Sequence, residues 1–269
     1  MLQLGLAVKG LARPLTAEAV DAIAASRILS TLEVCAANFS GADGADVKKR
    51  LLDAVAASPR LSIPTFHCTF DPDHDISQTD MERRRAAVEL FVGEMMEARD
   101  FDASTLVVHP SFDQVPDEER PRRIEALKVS MSEMEERTRR YGMRVALELL
   151  PGMRLGRTPE ELLDFTADFG DGFGFCLDTN HLTGMQGRLA ETVGLLGDRL
   201  YDIHVSDYFG GDECHSLPGD GTNDWKAFAA ALDAIGYTGP FTYEVRIQGT
   251  PAERMRAVEE NFAATFATA

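Results

Sequence analysis

The stretch RVALELLPGMRLGRTPEELLDFTADFGDGFGFCLDT, residues 144–179, carries one full structural unit of the chain. Residues 144–150 and 173–179 are apolar runs of strand length. Between them, Thr158 to Phe169 spaces its apolar residues as a helix does and opens on a threonine suited to cap the first turn. The same alternation extends in both directions. Further strand candidates are Leu4 to Val8, Ser30 to Ala36, Leu61 to Phe70, Thr105 to Pro110, Leu200 to Asp207 and Phe241 to Val245. Helical spacing recurs over Thr16 to Arg27, Asp46 to Ser58, Asp80 to Arg99, Asp117 to Tyr141, Leu189 to Leu196, Asp224 to Ile235 and Pro251 to Phe266. Gly142 and Gly236 stand where helices end in a left-handed residue.

Eight strand-then-helix units predict an α/β fold: a parallel sheet with helices outside, closed into a (β/α)8 TIM barrel. A length of 269 residues suits one such domain over 1–269. An open doubly wound sheet is the weaker alternative, because no glycine-rich phosphate loop follows the first strand. The longest inserts, Asp71 to Gln78 and Phe209 to Asn223, both follow strands, on the rim that carries chemistry in a barrel.

Hydrophobic residues make up 44% of the chain, ample for a large core. The formal net charge of -17 opposes binding to nucleic acid or to anionic lipid. No basic segment precedes an apolar run at Met1 to Gly10, and no uncharged stretch approaches the roughly 20 residues of a membrane span. The four cysteines, Cys35, Cys68, Cys176 and Cys214, are widely spaced without a C-x-x-C pair, which predicts reduced thiols in a cytoplasmic protein.

Chemistry gathers at the strand ends. His67, His109, His181 and His204 end strand candidates or follow them directly, and Glu148, Asp178 and Glu244 end otherwise apolar strands. Charged groups are rarely buried without a partner or a metal. Period-2 alternation sets Glu148 with Ala146, Asp178 with Cys176, His204 with Asp202 and Glu244 with Thr242, so the four converge at one barrel mouth on strands five to eight. Three carboxylates and an imidazole form a mostly oxygen shell for a divalent cation: Mn²⁺ first, with Mg²⁺, Co²⁺ or Zn²⁺ as alternatives. Any one of these carboxylates alone reads equally well as an ion-pair partner.

The motifs LEV at Glu33, HCTF at His67, VVHP at His109, VALELLPG at Glu148, FCLDTNHL at Asp178 and His181, DIHVSD at His204, HSLPGDGTNDW from His215 and TYEV at Glu244 resemble the xylose-isomerase-like barrel superfamily. That superfamily holds sugar isomerases and epimerases, inosose dehydratases and endonuclease IV. The resemblance implies one metal held by Glu148, Asp178, His204 and Glu244, and a carbohydrate substrate. His181 would lie beside that substrate, with His67, His109, His215 and Arg154 lining its pocket. A homo-oligomer is expected, and the net charge argues against a nucleic-acid or membrane partner.

Endonuclease IV is similar in its histidines and its final Glu, but here Glu213 stands for the Asp of its D-x-H triplet, and the net charge and the LPGDG turn argue for the sugar-active members. The ketose 3-epimerases carry a Glu and an Arg where this chain has Arg154 and Gly210, which leaves the sugar open. Arg154 and Arg157 follow strand five and suit either an anionic substrate group or a pairing with Glu160 or Glu161. The arginine clusters at Arg83 to Arg85, Arg122 to Arg123 and Arg139 to Arg140 read as solvated helix faces.

The expected chemistry is isomerisation or epimerisation of a keto sugar or polyol through an enediolate, with Glu148 and Glu244 as the acid–base pair. The same ligand set serves a dehydratase or lyase. A sugar-binding scaffold without turnover is the third class, disfavoured because both candidate bases are present.

Overall fold

The computed structural model describes residues 2–182, 184–210 and 213–266. Met1, Thr183, Gly211, Asp212 and residues 267–269, which the sequence reading includes in one domain and in the insert after strand seven, lie outside the described residues. Eight strands, β1 (Leu4–Ala7), β2 (Leu29–Val34), β3 (Ser62–His67), β4 (Thr105–Val108), β5 (Arg144–Glu148), β6 (Phe173–Asp178), β7 (Leu200–Val205) and β8 (Phe241–Tyr243), pair in sequence order and close into a barrel. Every pairing is parallel, including β1 with β8. The helices are α1 (Ala17–Ala25), α2 (Gly44–Ala57), α3 (Met81–Ala98), α4 (Arg120–Arg140), α5 (Pro159–Phe165), α6 (Leu189–Leu196), α7 (Trp225–Ala234) and α8 (Pro251–Phe266). The chain is therefore the expected (β/α)8 TIM barrel.

Strands are shorter than the apolar runs that announce them: Cys68 to Phe70 and Ser206 to Asp207, for example, lie beyond the ends of β3 and β7. Caps set where the helices begin: Thr16, Asp80, Thr158 and Asp224 accept from backbone N–H groups of the first turn. Gly142 and Gly236 both adopt a φ of +65°, as their helix-ending positions require.

Alternation divides each strand between two environments. Leu6, Leu32, Phe66, Leu106, Leu147, Phe175, Ile203 and Phe241 are buried in the main core, on strands whose other face lines the barrel. The inner layer below the mouth is small or polar, with Thr65, Ala146, Cys176, Asp202 and Thr242 all at most 1% exposed. Gly5 closes this layer. A side chain there would meet Thr31 Oγ1 at 2.5 Å and the Phe241 carbonyl at 3.1 Å, so only glycine lets β1 approach both neighbours.

One arginine departs from the sequence reading. Arg123 is no solvated helix residue: it is 6% exposed and its guanidinium binds Asp75 at 2.7 Å and Ser77 Oγ at 3.1 Å. Asp75 also accepts from the backbone of Phe112, so this buried pair ties α4 to the loops after β3 and β4. All four cysteines are free thiols. Among the described residues no helix is long and apolar enough to cross a membrane.

Candidate metal centre and active site

The four expected ligands meet at the C-terminal end of the barrel. Asp178 and His204 are register partners on β6 and β7, Glu148 ends β5 opposite Cys176, and Glu244 follows β8 with its N–H on the Val205 carbonyl at 3.1 Å. Thr179 Oγ1 donates to the Ser206 carbonyl at 2.7 Å and so clamps β6 to β7 just past the pair. His204 Nδ1 lies 3.0 Å from Glu244 Oε2 and 3.7 Å from Glu148 Oε1.

The free atoms decide what this cluster can hold. Apart from the 3.0 Å contact of His204 Nδ1 with Glu244 Oε2, the buried atoms Asp178 Oδ2, His204 Nδ1 and Glu244 Oε2 have no hydrogen bond to protein, and the three residues bring one ligand atom each within 4.8 Å of one another. Each of these residues spends its other polar atom on protein. Asp178 Oδ1 accepts from Asn180 N at 2.7 Å, His204 Nε2 meets Glu33 Oε2 at 2.9 Å, and Glu244 Oε1 takes the Lys9 ammonium at 2.9 Å. Leaving such atoms unpaired costs about 1–3 kcal/mol each, more for charged groups. A divalent cation accepts all three at once, and imidazole with carboxylates is a suitable donor set for it. The Glu33 contact fixes the His204 ring with Nδ1 inward, the orientation a carboxylate gives a histidine that would ligate a metal through its other nitrogen.

Electrostatics agree with this geometry. Burial pushes the Glu148 carboxyl up, but the imidazoles of His109, His181 and His204 outweigh it and hold the group well below the usual carboxylate range. Burial raises Glu244 likewise, and Lys9 and His204 then bring it well below. Asp178 ends higher than usual: burial lifts it, His181 and His215 oppose, and the Glu244 and Glu148 charges add to the lift. Of the two carboxylates with a free oxygen in the cluster, Glu244 is compensated by Lys9 and His204, and Asp178 is the one short of positive charge.

The remaining expected residues surround this centre. His67 Nε2 and His109 Nε2 converge on Glu148 Oε2 at 3.2 and 2.7 Å. His181 Nδ1 contacts the Leu149 carbonyl at 2.9 Å, which turns its Nε2 to Asp178 Oδ2 at 3.5 Å. His215 sits at φ +47°, a backbone region uncommon for histidine, with its ring on the Glu244 carbonyl at 3.1 Å. Arg154 lines the same pocket of about 490 Å³, together with Lys9, Arg13, Phe70 and Arg246. Arg157 turns outward to Asp117 at 3.1 Å and Glu161 at 3.7 Å, so the two arginines part company.

A family model described as a xylose isomerase-like TIM barrel matches residues 22–264. The chain belongs to that family. A D-tagatose 3-epimerase-like protein superimposes on it with a TM-score of 0.81, at 21% identity over 99% of each chain. D-psicose 3-epimerase of Clostridium cellulolyticum reaches 0.77 at 16% identity, over 99% of this chain and 98% of that one. At such identities the likeness speaks for the fold. In sequence, an uncharacterized protein of Methanocaldococcus jannaschii is 28% identical over 183 residues, 64% of this chain and 62% of the other. L-ribulose 3-epimerase of Methylomonas is 37% identical over 68 residues, 25% and 22% of the two chains. The matched stretches span less than two thirds of those curated relatives.

Within this xylose isomerase-like barrel, sequence reasoning assigned no role to three groups that touch the centre. Glu33 stands in the LEV motif without a task, and Lys9 carries no motif of its own. The alternation rule finds Glu33, two residues past Thr31 on β2, whereas Lys9 lies in a 3-10 turn, Val8–Gly10, just past β1, where alternation does not apply. Glu213 is the third: its carboxylate lies 3.6 Å from both His181 Nε2 and His215 Nε2, which hold it far below its ordinary range.

Proposed function

We propose that the protein is a divalent-metal-dependent isomerase or epimerase of a keto sugar or related polyol, probed best at the carbon beside the carbonyl. The observation that carries this reading is the set of buried ligand atoms on Asp178, His204 and Glu244 without a protein hydrogen bond; Glu148, with Oε1 3.7 Å from His204 Nδ1, is proposed as the fourth ligand. Mn²⁺ is the preferred cation, with Mg²⁺, Co²⁺ or Zn²⁺ as alternatives, because carboxylate oxygens dominate the donors. A bound cation supplies a Lewis acid that lowers the cost of enolising the substrate by several kcal/mol. The epimerase names of its structural neighbours and of a partial sequence relative support the same class.

The chain's own groups divide the remaining work. Glu148 and Glu244, three strands apart around the mouth, exchange the carbon-bound proton, one removing it and the other returning it. Lys9 holds Glu244 Oε1 and restricts how that carboxylate turns. His181 donates to the substrate oxygen through Nε2, while His67, His109 and His215 wall the pocket. Transfer on opposite faces epimerises, and transfer on one face isomerises.

The test is turnover of a ketose panel in heavy water by the metal-loaded protein, read by mass spectrometry. Deuterium at the carbon beside the carbonyl is the expected result. Complete retention of the substrate's own hydrogen would contradict proton transfer by the glutamates. The same panel reports a lyase, which uses the same ligands and would release water from the β-position.

A separate expectation concerns Glu33. Glu33→Gln should weaken metal binding by about 10- to 100-fold, because the His204 ring loses the carboxylate that orients it. Competition against a chromophoric chelator measures this, and an unchanged dissociation constant would contradict it.

A second reading rests on its own observation. His67 and His109 converge on Glu148, and Asp178, His181 and His215 form another group of ligand atoms within 4.8 Å. Such grouping suits a trinuclear zinc hydrolase of the endonuclease IV kind, against which the net charge of -17 still stands. Elemental analysis separates the two: one metal per chain supports the isomerase, and three zinc ions with cleavage of abasic DNA support the hydrolase.

A further inference from the structure

The pocket is short of anions in a chain that has an excess of them. Its lining carboxylates are all engaged: Glu148 by imidazoles, Glu244 by Lys9, and Glu213 by His181 and His215. Its arginines are not. Among the described residues, the side chains of Arg13, Arg154 and Arg246 meet no carboxylate, although the chain carries 44 acidic residues against 27 basic ones.

Arg154 is the most organised of the three. Its Nε donates to the Phe112 carbonyl at 3.1 Å, and its guanidinium lies over the Phe70 ring, 5.3 Å from the centroid. Phe70 in turn packs edge-on against His109, 4.3 Å between centroids. The backbone is fixed as well, since Arg120 donates to the Arg154 carbonyl. One edge of the guanidinium is thus spent on anchoring, while its two terminal nitrogens have no protein acceptor among the described residues. A planar, half-anchored fork of this kind matches the two oxygens of a carboxylate or phosphate, and little entropy remains to be lost on binding. Arg13 and Arg246, exposed on the loops after β1 and β8, stand across the mouth and add positive potential at the entrance.

We propose that the substrate carries an anionic group, a phosphate or a carboxylate, and that Arg154 holds it at the rim beside Phe70. This rests on the sugar isomerase reading for the remainder of the ligand, but the anion site can be measured without turnover. Isothermal titration of the metal-loaded protein with D-fructose, D-fructose 6-phosphate and D-fructuronate separates the cases. At least one of the two anionic ligands should bind tenfold or more tightly than D-fructose, and which one does so identifies the group. In R154A the affinity of the preferred anionic ligand relative to D-fructose should fall at least tenfold, and R154K should keep part of that preference, as a point charge without the fork. R154Q, which keeps part of the side chain and a polar end without the charge, serves if R154A does not fold.

Equal affinity for all three ligands, no measurable binding of any of them, or an anion preference that survives in R154A and R154Q would overturn the proposal. Proton exchange in heavy water reports independently. Exchange without anion preference removes this proposal and leaves the isomerase reading. Anion preference without exchange on any ligand does the reverse.

Discussion

Glu148→Gln is expected to lower kcat/KM by about a thousandfold or more while leaving far-ultraviolet circular dichroism unchanged. The size follows from how many groups depend on this one carboxylate. Oε2 receives His67 and His109, and Oε1 lies 3.2 Å from His181 Nδ1 and 3.7 Å from His204 Nδ1. The amide keeps the shape but removes the charge, and its NH2 group would face imidazole nitrogens that now meet an acceptor. The two roles proposed for Glu148, proton transfer and metal ligation, would fail together, and effects of residues acting as a unit do not separate cleanly. The fold should persist because the side chain projects into the mouth, away from the apolar layer between strands and helices. Activity within tenfold of the parent would remove Glu148 from the centre of the mechanism.

The largest effect on stability is expected at Asp207, just past β7. This fully buried carboxylate accepts four hydrogen bonds, through Oδ1 from Tyr208 N at 2.9 Å and Asn223 N at 3.1 Å, and through Oδ2 from Gly219 N at 2.7 Å and Trp225 Nε1 at 2.8 Å. It fastens the Pro218 to Asn223 turn and the start of α7 to the barrel, and its own N–H donates to the Ser216 carbonyl at 2.8 Å. Asp207→Ala leaves several buried donors unmet and should cost about 3–5 kcal/mol. In a chain of this size that lowers Tm by roughly 6–15 °C, measurable by calorimetry. Asp207→Asn should fall between the two, because one amide end must face N–H donors that it cannot accept. His215 stands next to Ser216, so loosening this loop should also cost activity. A Tm within 2 °C of the parent, about the shift of a 1 kcal/mol loss, would contradict the assignment.

Period and punctuation were enough for the architecture. The runs RVALE, FGFCLD and LYDIHV are too short for helices and too apolar for loops, and parallel strands buried on both faces must be covered by the amphipathic stretches between them. The same two-residue period fixed which strand-end residues share the inner face, so Glu148, Asp178, His204 and Glu244 could be grouped before any coordinates were known. It could not say which charges find partners. Arg123 and Arg122 are neighbours on one helix, and whether one of them is buried depends on Asp75 arriving from another loop. Arg154 and Arg157 have the same composition around them, yet Arg157 meets Asp117 while Arg154 meets the Phe112 carbonyl and the Phe70 ring. Glu33 reaches His204 from 171 positions away. Alternation is a local property of the backbone and is written in the order of residues. Hydrogen-bond partnership, and with it the number of unpaired atoms left to bind a metal or an anion, arises only when distant strand ends are brought within about 3 Å of one another.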